Sequence, residues 1–227
     1  MRTSLRDTFL FYAAFTVATV LILFVPVPGV ELGPRIGLAV LLFNVALPLV
    51  GRWRGHDDWT RMWALCLGVS VFMVVPDWFL SAQLKTLVFP DGFLPIGTVS
   101  GYMAGMWAIP FFMILSVARE VDGRKGPLLA YIAAGVTGAV IFVGSEATLW
   151  MLNIWYARNV TMIGHVAVYV VAPEILLSVA LYYTDRVTAP YAVYYRVLCG
   201  PLVAIQYSGA IILSWFFLEG PALTGLF

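Results

Sequence analysis

The sequence predicts an all-α polytopic membrane protein, a bundle of about seven transmembrane helices with a cytoplasmic N-terminus. The 227-residue chain is 62% hydrophobic and only 11% charged, whereas a soluble domain of this length needs a much more polar surface. Its mean hydropathy is +0.92. Uncharged stretches recur along the chain, and several are long enough to cross a hydrocarbon core of about 30 Å.

The predicted spans follow one another with short connections, so the sequence predicts a single transmembrane domain over residues 1–227. The first apolar run is too long for a signal peptide and lacks a convincing small-residue cleavage site, which makes it the first helix. The spans cover approximately residues 8–28, 36–52, 60–82, 98–118, 126–151, 161–184 and 193–218.

Turn-forming and charged segments separate these spans. The Pro- and Gly-rich "VPVPGVELGPR" follows the first helix, and the polar "RWRGHDDWTR" follows the second. After the third helix, "TLVFPDGFLPIGTVSG" is too broken by proline and glycine to span, and it predicts a re-entrant or capping loop. The fourth helix carries Gly101 and Gly105, four residues apart, so that another backbone can approach it closely.

The distribution of basic residues predicts the orientation, because cytoplasmic loops carry an excess of Lys and Arg. Three basic residues fall on one side of the predicted bundle: Arg35, Lys85 and Arg158. Ten fall on the side of the N-terminus, namely Arg2, Arg6, Arg52, Arg54, Arg61, Arg119, Arg124, Lys125, Arg186 and Arg196. The N-terminal side is therefore predicted to be cytoplasmic.

Four ionisable residues fall inside the predicted spans, where such side chains usually face the bundle interior or a wet cavity. They are Asp77, Glu146, His165 and Glu174. From the chain direction, the first three lie in the exterior half of the membrane, with His165 early in the sixth helix. Glu174 lies nine residues further along, about 13 Å deeper at 1.5 Å per residue. Pro76 and Pro173 directly precede two of the acids and predict locally loosened helices.

Aromatic and amide residues surround this constellation. Helical spacing places Trp150 and Asn153 on the face of Glu146, and Tyr169 on the face of His165. Trp107 and Trp150 are the favoured cavity-wall residues, and Trp78 and Tyr102 are further candidates for contact with a substrate. Because Trp and Tyr also form interfacial belts, Trp155 and Tyr156 are predicted to belong to such a belt.

These groups are compatible with three roles. A protonated carboxyl in an aromatic cavity can protonate an alkene or epoxide, aromatic faces can stabilise the resulting carbocation, and a second carboxylate or a histidine can remove the final proton. Glu146 and Asp77 are the candidate acids in this interpretation, with His165 or Glu174 as the partner base. The same groups could instead form a structural hydrogen-bond network in a non-catalytic scaffold. They could also serve a small proton-coupled transporter.

The chain resembles the compact integral-membrane enzymes of terpenoid and carotenoid biosynthesis. "VAPEILL" is similar to the lycopene cyclase helix that carries a proline before paired acids, although here only Glu174 follows the proline. "PDWF" and "GSEATLW" resemble the isolated acids beside aromatics of membrane terpenoid cyclases, and "GYMAGMWAIPFF" resembles a helix of carotenoid hydratases. The resemblance implies a membrane-embedded isoprenoid cyclase, isomerase or hydratase with a lipophilic isoprenoid substrate.

Other enzyme and binding classes lack their motifs. The sequence has no HExxH zinc motif and no Asp-rich diphosphate motif. We therefore expect no metal site and no cofactor. The few basic residues flank the spans, which argues against nucleic-acid binding and leaves membrane lipids as the expected surroundings of an integral, polytopic membrane protein.

Overall fold

A computed structural model describes residues 2–220, and it describes side chains from residue 4 onward. The predicted domain covers residues 1–227. Of these, residue 1, residues 221–227 and the side chain of Arg2 lie outside the described part of the chain. Within the described part, seven helices are long and apolar enough to cross a membrane, by length and composition. The prediction of an all-α polytopic bundle is confirmed.

The described chain consists mainly of helices with a few two-residue strands. The helices are α1 (Arg2–Phe24), α2 (Leu32–Trp53), α3 (Asp57–Trp78), α4 (Met103–Met106), α5 (Ala108–Lys125), α6 (Pro127–Thr148), α7 (Val168–Thr188), α8 (Val193–Leu198) and α9 (Gly200–Leu218). A π-helical turn, Phe79–Gln83, extends α3, and a 3₁₀ turn, Leu149–Leu152, extends α6. The strands are β1 (Leu87–Val88), β2 (Tyr156–Ala157), β3 (Met162–Ile163) and β4 (Val166–Ala167).

Two predicted spans differ most from the helices observed. The predicted span 98–118 begins later, at Met103, and runs to Lys125 with a break at Trp107. The predicted span 161–184 also begins later: its first residues form the hairpin β3–β4, and α7 starts only at Val168. Gly164 has a φ of +64°, a conformation that glycine adopts without strain, and it allows the chain to turn back between the two strands.

The two ends of the bundle have different constructions. At one end, here called the arginine-rich end, Asp185 of α7 accepts hydrogen bonds from Arg119 at 2.6 and 2.7 Å and from Arg196 at 2.8 Å. Both Asp185 and Arg196 are almost fully buried. At the other end, here called the hairpin end, the loop after α3 pairs with the loop after α6 through β1 and β2, and the hairpin β3–β4 lies beside them.

Helix α3 is the most buried of the seven spans and α1 the least buried. Because α3 packs against α2, α5 and α9, its buried side chains form the centre of the core. Close backbone approach fixes α9 against it: a Cβ added to Gly200 would lie 2.5 Å from the backbone oxygen of Gly68.

This contact predicts the effect of Gly200→Ala. The added methyl group meets backbone atoms rather than a flexible side chain, so α9 must move away from α3. We expect the free energy of unfolding to fall by about 1–3 kcal/mol, measured by denaturant titration of the purified protein in detergent. Gly209→Ala is the matched control on the same helix, since nothing lies within 4 Å of its added Cβ. Equal stability of the two variants would contradict the assigned α3–α9 contact.

Candidate active site

A cavity of about 490 Å³ lies at the hairpin end of the bundle. Its walls come from α1 to α7 and from Tyr207 of α9, and the loops that carry β1 and β2 cover it. Most lining atoms are apolar, and many lining residues are aromatic, including Tyr12, Phe15, Trp107, Phe142, Trp155 and Tyr169. Three acids line the same cavity: Asp77, Glu146 and Glu174.

Asp77 lies in the last turn of α3, after Pro76 and immediately before the π-helical turn. It is 2% exposed, and its Oδ2 accepts a hydrogen bond from the indole nitrogen of Trp107 at 3.0 Å. Trp107 occupies the break between α4 and α5. The amide of Asn44 donates to the carbonyl of neighbouring Gly105 at 3.1 Å, which anchors α4 to α2. The interrupted fourth span thus places the indole against the carboxylate.

Glu146 lies near the end of α6, where the helix tightens into the 3₁₀ turn. Its Oε1 accepts a hydrogen bond from the indole nitrogen of Trp155 at 3.1 Å. Asn153 ends the 3₁₀ turn in the left-handed conformation, with a φ of +52°. This residue reverses the chain direction, so that the segment after it brings Trp155 back over α6.

Glu174 lies in the second turn of α7 and directly follows Pro173. It is 5% exposed, and among the described residues its Oε2 has no hydrogen-bond partner. Close packing of α6 against α7 fixes its position, because a Cβ on Gly138 would collide with the side chain of Ser178, one turn after Glu174. Glu174 therefore presents an unpaired carboxyl oxygen at the wall of an apolar cavity.

The three acids line one cavity and have no cationic partner among the described residues. Within residues 4–220, no ion pair joins any of these carboxyls to a basic side chain, unlike Asp185 at the arginine-rich end. The acids are also spread over three helices, and no group of three or more His, Cys, Asp or Glu in the described part of the chain is placed to hold one metal ion.

Comparison with known proteins identifies a family. Residues 74–218 match the family model described as "Domain of unknown function (DUF6989)". The chain belongs to this family. No curated protein and no solved structure matches the chain. The segment matched to DUF6989 contains all three cavity acids and both indoles bonded to them, whereas α1 and α2 precede it.

The structure corrects the predicted position of His165. This residue is exposed in the turn of the hairpin β3–β4, outside α7, and it does not line the cavity. Its ring stacks on Trp150 with ring centroids 3.9 Å apart. The indole of Trp150 donates to the carbonyl of Ala147 at 3.0 Å, so both rings lie at the outer rim rather than at the cavity wall. The sequence analysis placed His165 and Trp150 beside the acids, and the structure does not show these contacts.

The other predicted contact residues divide into two groups. Trp107 and Tyr169 line the cavity, and the hydroxyl of Tyr169 pairs with that of Thr86 at 2.9 Å. Tyr102, Asn153 and Trp78 lie outside it. The buried hydroxyl of Tyr102 donates to the carbonyl of Ile154 at 3.4 Å, supporting the segment that carries Trp155, and burial raises the pKa of this hydroxyl. Trp78 is 40% exposed and packs on Gly97.

The sequence analysis did not identify two parts of the site. Trp155 was predicted to be a belt residue, yet its indole bonds a cavity acid. Helix α1 supplies a whole wall through Tyr12, Phe15, Thr19 and Leu23. These residues are spaced by three or four along α1 and therefore share one helical face, which is the signal that could have identified the wall.

The Trp107–Asp77 bond predicts a stability difference between two tryptophan variants. Trp107→Phe leaves a buried carboxyl oxygen without its donor, so we expect the free energy of unfolding to fall by about 1–3 kcal/mol. Trp150→Phe is the control, because its indole bonds a backbone carbonyl at a more exposed position. We expect a change below about 0.5 kcal/mol there. Denaturant unfolding in detergent measures both, and equal losses would contradict the role given to the indole of Trp107.

Proposed function

We propose that this protein is a membrane-embedded isoprenoid cyclase, or a related isomerase or hydratase, that works by proton transfer in its aromatic cavity. The observation that carries the proposal is Glu174, a residue that lines the apolar cavity and whose buried carboxyl has one unpaired oxygen. The volume of about 490 Å³ lies within the range of about 300–1,000 Å³ common for small-molecule sites.

Glu174 is the proposed proton donor. A charged carboxylate without a partner is very costly in apolar surroundings, so the neutral, protonated form is the one that this position accommodates. A neutral carboxyl carries one O–H donor. The proton is delivered to one carbon of an alkene, or to the oxygen of an epoxide, and a carbocation forms on the adjacent carbon. This assignment exchanges roles with the sequence-based hypothesis, in which Glu146 and Asp77 were the acids.

The aromatic wall supports the cationic stage of the reaction. The ring of Trp107 lies 5.4 Å from that of Phe142 and 5.9 Å from that of Tyr207, measured between centroids. All three side chains line the cavity. A cation within about 6 Å of an aromatic face is attracted by the ring quadrupole. An electron-rich double bond of the same substrate can then attack the cation and close a ring.

Asp77 and Glu146 are the proposed bases. Each already accepts a hydrogen bond from an indole, and an indole nitrogen can only donate. Either carboxylate can take a proton from the carbon next to the cation, which regenerates a double bond and leaves the mass of the substrate unchanged. Return of that proton to Glu174 completes the cycle. If water attacks the cation instead, the product is an alcohol heavier by one water.

The two alternative functions have less support from the geometry. A transporter needs its cavity to communicate with both sides of the membrane. Towards the arginine-rich end, the packed rings of Phe11, Phe43, Trp59 and Phe112 fill the bundle. A scaffold needs well-satisfied buried groups, whereas the free Oε2 of Glu174 adds no interhelical hydrogen bond.

Glu174→Gln tests the proposed donor, because the amide keeps the shape of the side chain but supplies no acidic proton. We expect product formation to fall by about 10²–10⁴-fold. The measurement is mass spectrometry of lipid extracts from a host that makes linear prenyl and carotenoid precursors. Glu120→Gln is the control, since Glu120 is a buried acid at the arginine-rich end, paired with Arg124. An unchanged product yield from well-expressed Glu174→Gln would refute this role.

Asp77→Asn and Glu146→Gln test the proposed bases. Loss of the base still permits protonation by Glu174, so the cation persists until water captures it. In the variant that lacks the true base, we expect fewer products with the mass of the substrate and more products that are heavier by one water. Liquid chromatography with mass spectrometry separates the two product classes. If both variants retain the wild-type product ratio, neither carboxylate is the base.

A further inference from the structure

The position of α1 at the cavity reveals where the cavity opens. Helices α1 and α6 both contribute lining residues, and both pack against α5. They do not form an extensive contact with each other. The space between them is therefore bounded by α5 on one side and by the loops of the hairpin end on the other.

Exposure of the lining residues agrees with an opening at this place. On α1 and α6, the lining residues Phe15, Thr19 and Ser145 are partly exposed. On α7, by contrast, Tyr169 is 1% and Glu174 5% exposed. The acid-bearing α7 wall is thus closed, and the accessible side of the cavity is the α1–α6 side.

The opening faces the predicted hydrocarbon region rather than the loops. Thr19 lies more than one helical turn before the end of α1 at Phe24, and Ser145, in the last turn of α6, lies more than one turn before the end of the apolar span at Leu152. Apolar side chains on the outer faces of the same helices are exposed, among them Val20 at 47% and Val140 at 70%. A molecule dissolved in the bilayer meets this opening directly.

Thr19 adds a polar group at the opening. Several Ser hydroxyls in other helices donate to the carbonyl four residues earlier, as Ser116, Ser145 and Ser178 do, whereas the buried hydroxyl of Ser70 in α3 has no partner among the described residues. The Oγ1 of Thr19 is buried and has no partner among the described residues. It therefore remains available to hydrogen-bond an oxygen atom carried by a ligand.

We propose that the cavity takes its ligand sideways from the lipid, between α1 and α6, and that the ligand is a prenyl-chain amphiphile whose oxygen-bearing end is held by Thr19. This proposal rests on the proposed function for the fate of the ligand, but the entrance itself is independent of any reaction. The apolar chain occupies the cavity towards Glu174, and the polar end stays at the α1 wall.

Photolabelling of the full chain in phospholipid vesicles tests the entrance. The probe is a farnesol analogue with a diazirine in its chain, added to the bilayer, and peptides labelled under ultraviolet light are identified by mass spectrometry. We expect labels on cavity residues of α5 and α7, such as Trp107 and Tyr169. Thr19→Phe and Ser145→Phe fill the opening and should lower this labelling about tenfold.

Matched variants separate a blocked entrance from general damage. Val20→Phe and Val140→Phe add bulk to the same two helices on their lipid-facing sides, and labelling should stay at the wild-type level. Thr19→Val keeps the size of the side chain but removes the hydroxyl. It should lower labelling by the farnesol probe and leave labelling by the matching hydrocarbon probe unchanged.

The outcomes distinguish this inference from the proposed function. Full cavity labelling in both Thr19→Phe and Ser145→Phe would overturn the lateral entrance, whatever the activity of the protein. Equal effects of Thr19→Val on both probes would overturn the role of its hydroxyl. Labelling that depends on the entrance, in a protein that yields no product from any precursor, would support the entrance and overturn the proposed cyclase or isomerase activity.

Discussion

The high cost of an unpaired charge in apolar surroundings governs the placement of every buried acid in this bundle. At Asp185 this cost is offset by ion pairs with two arginines, one of them almost fully buried. Asp77 and Glu146 each accept an indole N–H rather than a bond from a cation, and Glu174 receives no donor at its Oε2. The arginine-rich end therefore pairs its buried acid with cations, whereas the cavity acids have no cationic partner among the described residues.

Interrupted helices make the cavity possible. Irregular backbone at membrane depth is tolerated where it is buried in protein or lines a cavity. Here the π-helical turn follows Asp77, the α4–α5 break carries Trp107, and the 3₁₀ turn follows Glu146. Each interruption lies beside a side chain that lines the cavity. A regular helix cannot vary the direction of successive residues in this way, so the interruptions determine which groups face one another.

The fold was predictable from the sequence because hydropathy reports span number directly, and chain direction placed Asp77 and Glu146 in the same half of the membrane. The position of His165 was not predictable from the sequence, since "MIGHVAV" is apolar enough to continue a helix. Only the pairing of this segment as β3–β4 reveals a turn. The α1 wall and the bond from Trp155 to Glu146 were also missed. The spacing along α1 marks one helical face but does not say which elements that face contacts, and the bond from Trp155 depends on how the loop after the 3₁₀ turn folds back over α6.

The cavity acids and the α1 wall of the cavity lie in different parts of the chain. All three cavity acids lie within the segment that matches the family, 74–218, while Thr19 and the α1 wall precede it. Helix α1 is also the least buried span, so its substitutions disturb few core contacts. If ligands enter as proposed, a change on the inner face of α1 alters which molecule enters and leaves the α6–α7 packing around Glu174 in place. The proposed selection of a ligand at α1 and the proposed proton transfer at Glu174 can therefore be tested by separate substitutions.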